Sequence, residues 1–158
     1  MKPFEQVVTE HGATVLRVCR AVVGPVDAED AWSETFLSAL GAYPRLGPAA
    51  NVRAWLITIA HRKAIDVIRR RGRLPVPVAE VPELPMRDED VADPDLVTAV
   101  QALPDRQRQA VAYHYVGGIP YAELARIIGG TPEAARRAAA DGIKKLRLTY
   151  PNLERNAP

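Results

Sequence analysis

The sequence has only one cysteine, Cys19, in 158 residues, and it has no long apolar run. A single cysteine excludes an intramolecular disulfide and a cysteine-based zinc site, which fits a reducing cytoplasm. The N-terminal segment MKPFEQVVTEHG is polar by its fifth residue and lacks the apolar core of a signal peptide. No apolar stretch reaches the roughly 20 residues that cross a bilayer, so we predict a cytoplasmic protein without membrane insertion.

Histidine is also scarce, with His11, His61 and His114 in three separate segments. None of them stands in an HExxH or phosphate-loop pattern, which are common arrangements for a catalytic metal or a nucleotide. We therefore expect no metal site, no cofactor and no catalytic residues. An enzyme is the least favoured class of protein.

Charge is unevenly distributed, although the net charge is only +2. Basic residues gather at 62–73 and 136–147, and acidic residues gather at 80–95. The first basic segment belongs to the stretch 51–73, NVRAWLITIAHRKAIDVIRRRGR, which has the period of an amphipathic helix. Its apolar stripe contains Val52, Trp55, Leu56, Ile59, Ala60, Ala64, Val67 and Ile68.

The other side of this predicted helix is cationic. It carries Arg62, Arg69 and Arg73, with Lys63 and Arg70 beside them and Asp66 as the single acid. A row of guanidinium groups on a rigid helix suits a row of phosphates. Nucleic-acid binding is therefore favoured over an ordinary solvated face.

Two helices are predicted before this segment. The first covers residues 3–23, with His11 near its surface and Cys19 on its apolar stripe as a small buried residue. The second, DAEDAWSETFLSAL, begins at Asp27, which we expect to be its N-cap. Its acidic side, Asp27, Asp30 and Glu34, is either solvated or a docking surface for a basic protein. Its apolar side contains Ala31, Trp32, Thr35, Phe36, Ala39 and Leu40.

The composition changes at residues 74–94, LPVPVAEVPELPMRDEDVADP, which are rich in proline and acidic residues and show no helical period. This composition predicts a linker. A soluble tether is favoured over a segment that folds back on the basic helix.

Short helices are predicted after the linker, at 95–103, 105–116 and 120–128 and from Thr131 to about Leu148. The last two are joined by Gly129-Gly130, which indicates a helix-turn-helix motif. The second helix of such a motif contacts base edges with its N-terminal residues. Arg136 and Arg137 are therefore candidates for base or phosphate contact.

Three blocks of the sequence together resemble one known family. DAEDAWSETFLSAL, RAWLITIAHRKAIDVIRRRGR and ALPDRQRQAVAYHYVGGIPYAELARIIGGTPEAARRAAADGIKKLR are similar, in order and spacing, to the blocks of extracytoplasmic-function (group 4) sigma factors of bacterial RNA polymerase. The resemblance implies an all-α fold of two small domains. Residues 1–73 are then a sigma-2 domain that binds core RNA polymerase and the −10 element. Residues 74–94 are a linker, 95–150 are a helix-turn-helix sigma-4 domain for the −35 element, and 151–158 are a tail.

The resemblance also implies site residues. The polymerase-binding block aligns with Asp27, Asp30, Trp32, Glu34, Phe36 and Leu37. The −10-binding helix aligns with Arg53, Trp55, His61, Arg62, Lys63, Asp66, Arg69 and Arg70, to which the cationic stripe adds Arg73. The −35 set contains Thr131, Glu133, Arg136, Arg137 and Lys144. Trp55 lies on the apolar stripe, so a core role is favoured over base stacking.

Some positions depart from the family. His61-Arg62 stands where an Arg-Asn pair is usual, and the last helix lacks the usual Gly-Thr-Val-Lys-Ser-Arg-like segment, so the promoter sequence does not follow. Members are commonly held inactive by an anti-sigma factor, which is a further expected partner besides polymerase and promoter DNA. Two alternatives stay open at this point, a stand-alone helix-turn-helix regulator and a helical module that sequesters a partner without reading promoters.

Overall fold

A computed structural model describes residues 2–72 and 94–150 of the chain. Every regular element in these two ranges is helical, which confirms the predicted all-α class. Arg73, residues 74–93 of the predicted linker and the tail from 151 to 158 lie outside the described residues, whereas Pro94, predicted as the end of the linker, begins a helix. The helices are α1 Phe4–Val23, α2 Ala28–Ala42, a 3-10 turn Tyr43–Arg45, α3 Val52–Arg71, α4 Pro94–Gln101, α5 Asp105–Val111, a π-helix Ala112–Val116, α6 Tyr121–Ile128 and α7 Pro132–Thr149.

Helices α1, α2 and α3 pack together around apolar side chains. Helices α1 and α2 are joined by a hydrogen bond of 2.9 Å that the Trp32 indole N–H donates to the Gly12 carbonyl oxygen. Cys19 is buried as predicted, and burial raises the pKa of its thiol to about 12. His11 is less exposed than expected, since only 16% of its side chain is accessible to solvent. Leu40 is more exposed than expected, because it was predicted on the apolar side of α2 but 53% of it is accessible to solvent.

The helix caps agree with the sequence at one of the two predicted positions. Thr131 caps α7 as predicted, because its hydroxyl oxygen accepts a 3.1 Å hydrogen bond from the Ala134 N–H. Asp27 occupies the N-cap position of α2, but its side chain makes no capping hydrogen bond. Its carboxylate instead accepts a 2.7 Å hydrogen bond from Arg71 Nε, at the end of α3. A charge-assisted bond to a guanidinium is stronger than a neutral one, so it outcompetes the cap.

The C-terminal half is a helix-turn-helix unit completed by α5. The turn between α6 and α7 needs left-handed backbone at both glycines, with φ of 85° at Gly129 and 89° at Gly130. Helix α7 crosses α5 so closely at Gly142 that an added Cβ would lie 2.6 Å from Val111. The predicted helix 105–116 is not α-helical throughout, because its last turn is the π-helix Ala112–Val116.

The two halves pack against each other. The Gln101 side chain on α4 donates a 2.7 Å hydrogen bond to the Ala21 carbonyl oxygen on α1. His61 Nδ1 on α3 lies 2.7 Å from the Tyr113 hydroxyl on the π-helix, and both side chains are buried. We call the contact formed by these four residues the seam. Buried side chains form one continuous cluster across it.

Candidate functional site

The outer face of α2 combines acids with exposed leucines. Asp30 is exposed, Glu34 is half-buried, and Leu37 is 70% exposed. Leu40, which the site prediction did not include, follows one turn later on the exposed surface. Exposed large apolar side chains rimmed by charge are typical of protein-binding surfaces. We call this set, Asp30, Glu34, Leu37 and Leu40, the α2 face.

The other predicted polymerase-binding residues are held inside the structure. Phe36 is buried, and its ring forms a tilted pair with the Trp32 ring, with centroids 4.7 Å apart. Trp32 is half-buried, and its indole N–H is hydrogen-bonded to the Gly12 carbonyl oxygen. Asp27 forms an ion pair with Arg71. These side chains therefore shape and hold the α2 face rather than extend it.

The C-terminal half of α3 presents the predicted cations to solvent. Arg62, Asp66, Arg69 and Arg70 are exposed, and Lys63 is half-buried. The last three exposed residues line an open cleft of about 400 Å³ together with Glu34 of α2. Arg71 does not belong to this surface, because Asp27 and the Val23 carbonyl oxygen hold its guanidinium. The predicted −10 set also leaves Arg71 out, but the sequence gave no sign of its partners, which lie more than 40 residues away.

The remaining α3 candidates lie toward the seam. His61 is only 8% exposed, and burial, together with the neighbouring Arg62, lowers its pKa. Arg53 is half-buried, and its guanidinium reaches Gly118, where an added Cβ would lie 3.2 Å from Nη1. Trp55 is half-buried with its ring centroid 6.3 Å from that of Tyr43, as its place on the apolar stripe predicted. In this arrangement, the C-terminal half covers Arg53 and His61.

The predicted −35 set lies on the outside of α7. Glu133, Arg136, Arg137 and Lys144 are all exposed, and Thr131 is held at the N-cap. Arg136 has its guanidinium carbon 5.3 Å from the centroid of the Tyr121 ring. The same ring stacks on His114, with the two ring centroids 3.9 Å apart. Sequence spacing missed Tyr121 and His114 because the three residues lie on three different helices.

The described helices offer few other kinds of site. Within residues 2–72 and 94–150, no helix is both long and apolar enough to cross a membrane. The same residues contain no group of three or more His, Cys, Asp or Glu side chains placed to hold a metal ion.

Comparison with known proteins finds a family match for each half of the chain. The family model for sigma-70 region 2 matches residues 7–74, and the model for sigma-70 region 4 matches residues 95–146. The RNA polymerase sigma factor CarQ of Myxococcus xanthus is 30% identical over 165 residues, covering 96% of this chain and 91% of CarQ. The chain belongs to the extracytoplasmic-function family of RNA polymerase sigma factors. Like its family, this sigma factor directs RNA polymerase to promoters at transcription initiation.

For other relatives of this sigma factor, the match covers a smaller share of the relative's own length. The sigma factor SigC of Mycobacterium tuberculosis is 31% identical, over 73% of this chain and 68% of SigC. Two solved structures share the fold at lower identity. The sigma factor RpoE, solved with the anti-sigma factor NepR from Bartonella quintana, has a TM-score of 0.77 at 20% identity, covering 94% of this chain and 97% of RpoE. CnrH, solved with the cytosolic domain of CnrY, has a TM-score of 0.69 at 24% identity over 92% and 85% of the two chains.

Proposed function

We propose that this sigma factor divides promoter recognition between its two cationic helices and docks on core RNA polymerase through the α2 face. In this proposal, Arg62, Lys63, Arg69 and Arg70 of α3 follow the backbone of the melted −10 element. Arg136 and Arg137 of α7 meet the −35 element in the major groove. The observation that carries the proposal is that both basic clusters of the sequence fold onto exposed faces of separate helices.

The α2 face suits a protein partner better than a nucleic acid. Asp30 and Glu34 would repel phosphates, whereas they complement a basic protein surface. Leu37 and Leu40 supply apolar area that gains free energy when a partner covers it. We assign this face to the polymerase because it is acidic and apolar while both DNA-facing helices are cationic.

The seam adds a requirement to the proposal. Arg53 and His61 belong to the predicted −10 set, but the C-terminal half covers them in the free chain. Contact between these two side chains and DNA therefore requires the seam to open. Polymerase binding is a suitable cause, because it separates the two DNA-reading units to the spacing of the promoter elements.

An anti-sigma factor is the expected opposing partner. The fold relatives RpoE and CnrH were solved with the anti-sigma factor NepR and with the cytosolic domain of CnrY, respectively. We infer that a partner of this kind holds the present chain with its seam closed. We also infer that the protein acts in the cytoplasm and catalyses no reaction of its own.

Copurification with bacterial core RNA polymerase, followed by run-off transcription on a genomic promoter library, tests the proposal. Stable binding with transcripts from a defined set of promoters is the expected result. Binding without transcripts would point to a sequestering module, and duplex binding without any polymerase affinity would point to a stand-alone regulator. Either result contradicts the proposed function.

A further inference from the structure

The ring of Tyr121 is fixed on one face by a histidine. Tyr121 is the first residue of α6, and it stacks on His114 with centroids 3.9 Å apart and planes only 16° from parallel. His114 is itself held in place, because its Nδ1 lies 2.8 Å from the Ile119 carbonyl oxygen. The Tyr121 ring therefore has little freedom to rotate away from its position.

A second partner of this ring is Arg136, which we proposed to read DNA. The Arg136 guanidinium carbon lies 5.3 Å from the Tyr121 centroid, within the range of a cation–π interaction. Among the residues that the structure describes, this is the one cation held over an aromatic ring in this way. Arg137, the next residue on α7, is exposed and makes no such contact within the described ranges.

Such a contact changes what an exposed arginine can do. A free arginine side chain samples many rotamers, and ordering it on DNA costs conformational entropy. A guanidinium already restrained over a fixed ring loses less freedom when it forms a bidentate contact with a base. Burial, followed by a hydrogen bond between the hydroxyl groups of Tyr121 and Tyr115, raises the pKa of Tyr121.

We propose that Tyr121, braced by His114, is a positioning residue for Arg136 and so helps to determine which base is accepted in the −35 element. The proposal rests on the assignment of α7 to −35 recognition. It differs from a packing role for Tyr121 in one respect. Lost packing weakens binding to every sequence alike, whereas lost positioning weakens discrimination only at the base that Arg136 reads.

The test uses the full chain bound to core RNA polymerase. Selection from a library with a randomised −35 region first gives the preferred sequence, and Arg136→Ala then identifies the position whose preference Arg136 sets. At that position we expect Tyr121→Leu to lower base discrimination about two- to fivefold, the range of one exposed cation–π contact. Tyr121→Phe keeps the ring and should leave discrimination within about twofold of the wild type.

A double-mutant cycle decides whether Tyr121 acts through Arg136. In the Arg136→Ala background, Tyr121→Leu should cause no further loss of discrimination. In the Arg137→Ala background, which is the matched control, Tyr121→Leu should keep its full effect. If Tyr121→Leu proves unstable by thermal melting, His114→Ala keeps the Tyr121 ring but removes its brace, together with the hydrogen bond to Ile119, and should shift discrimination at the same position in the same direction.

Three results would overturn the proposal: equal loss in the Arg136→Ala background, equal loss at all −35 positions, or no change with Tyr121→Leu. Failure of the proposed function is distinguishable from these, because the wild-type chain would then select no −35 sequence at all.

Discussion

The two cationic helices, α3 and α7, differ in how freely they meet solvent. On α7, Arg136 and Arg137 are exposed, and Arg136 is already restrained over Tyr121. On α3, Arg62 and Arg69 are exposed, but His61 is buried in the seam. The proposed −35 surface is therefore exposed in the free chain, whereas part of the proposed −10 surface becomes available only when the two halves separate.

Under the proposed function, this difference would make DNA binding by the free chain weaker than binding by the polymerase-bound chain. Duplex contact by α7 alone is a short interface of a few side chains, and it gives modest affinity. In the proposed function, the α3 surface binds unstacked single strands, which exist only once the promoter melts. A closed seam thus has little effect on the first contact and a large effect on the second.

The largest expected effect comes from removing the exposed pair on α7. Arg136→Ala with Arg137→Ala should reduce selective initiation by at least roughly 30-fold, because each good base contact contributes about 1–3 kcal/mol of discrimination. Run-off transcription measures the loss. The matched control is Lys145→Ala with Arg147→Ala, which removes two exposed charges from the far end of the same helix. Loss of polymerase affinity in the first variant would instead indicate misfolding.

The sequence predicts the parts of the molecule that local pattern controls. The order of the helices, the Thr131 cap and the burial of Cys19 depend on residues within a few positions of one another. The exposed cations at Arg62 and Arg69 follow in the same way from helical spacing. These features could be predicted because an amphipathic helix has the same two faces wherever it packs.

The errors concern contacts between distant segments. Asp27 has the ideal position and residue type for a cap, but Arg71, 44 residues away, takes its carboxylate. The spacing of His61 also gave no sign that Tyr113, 52 residues away, covers it; its contact with DNA stays a prediction. Neither partner leaves a local signature in the sequence, and so tertiary packing overrides the local pattern at both positions.

The α2 face provides the next largest effect. Leu37→Ala should weaken polymerase binding roughly 5- to 30-fold, since a leucine buried at an interface contributes about 1–2 kcal/mol more than alanine. Equilibrium binding to core polymerase by fluorescence anisotropy measures it. Leu148→Ala is a matched control, because Leu148 is a leucine on α7, the last helix, and 80% of it is exposed. Equal losses in both variants would remove the α2 face as the docking site.

The exposed cations of α3 should act on DNA through charge. Arg62→Ala with Arg69→Ala removes two phosphate contacts, so the slope of log affinity against log salt should become shallower by about 1.4 for single-stranded DNA. The measurement is binding of single-stranded −10 DNA to the polymerase-bound chain at several salt concentrations. The control pair Arg17→Ala and Arg147→Ala removes the same charge from exposed positions outside α3. An unchanged slope in the α3 variant would contradict phosphate tracking.

The seam itself should respond to loss of one hydroxyl. Tyr113→Phe keeps the ring but deletes its 2.7 Å hydrogen bond with His61. A buried hydrogen bond contributes about 1 kcal/mol, so the open fraction should rise roughly fivefold. Energy transfer between dyes on α2 and α7 measures the opening. Tyr115→Phe, at an exposed tyrosine of the same π-helix, should leave the energy transfer unchanged.

The smallest effect expected is a dependence of the seam on pH. Burial and Arg62 lower the pKa of His61 in the closed form, and once the seam opens the pKa returns toward its usual value near 6.5. The open form therefore binds the proton more readily, and closure is complete above about pH 6.5 and weakens as the pH falls toward the lowered pKa. The groups that face His61 are Arg62 on its own helix and Tyr113 across the seam, and burial raises the pKa of Tyr113, away from this window. Energy transfer should report more open chain at pH 5.5 than at pH 7.5, and His61→Gln should abolish that difference. If the difference persisted in His61→Gln, another group, such as His11 with its own lowered pKa, would control the opening.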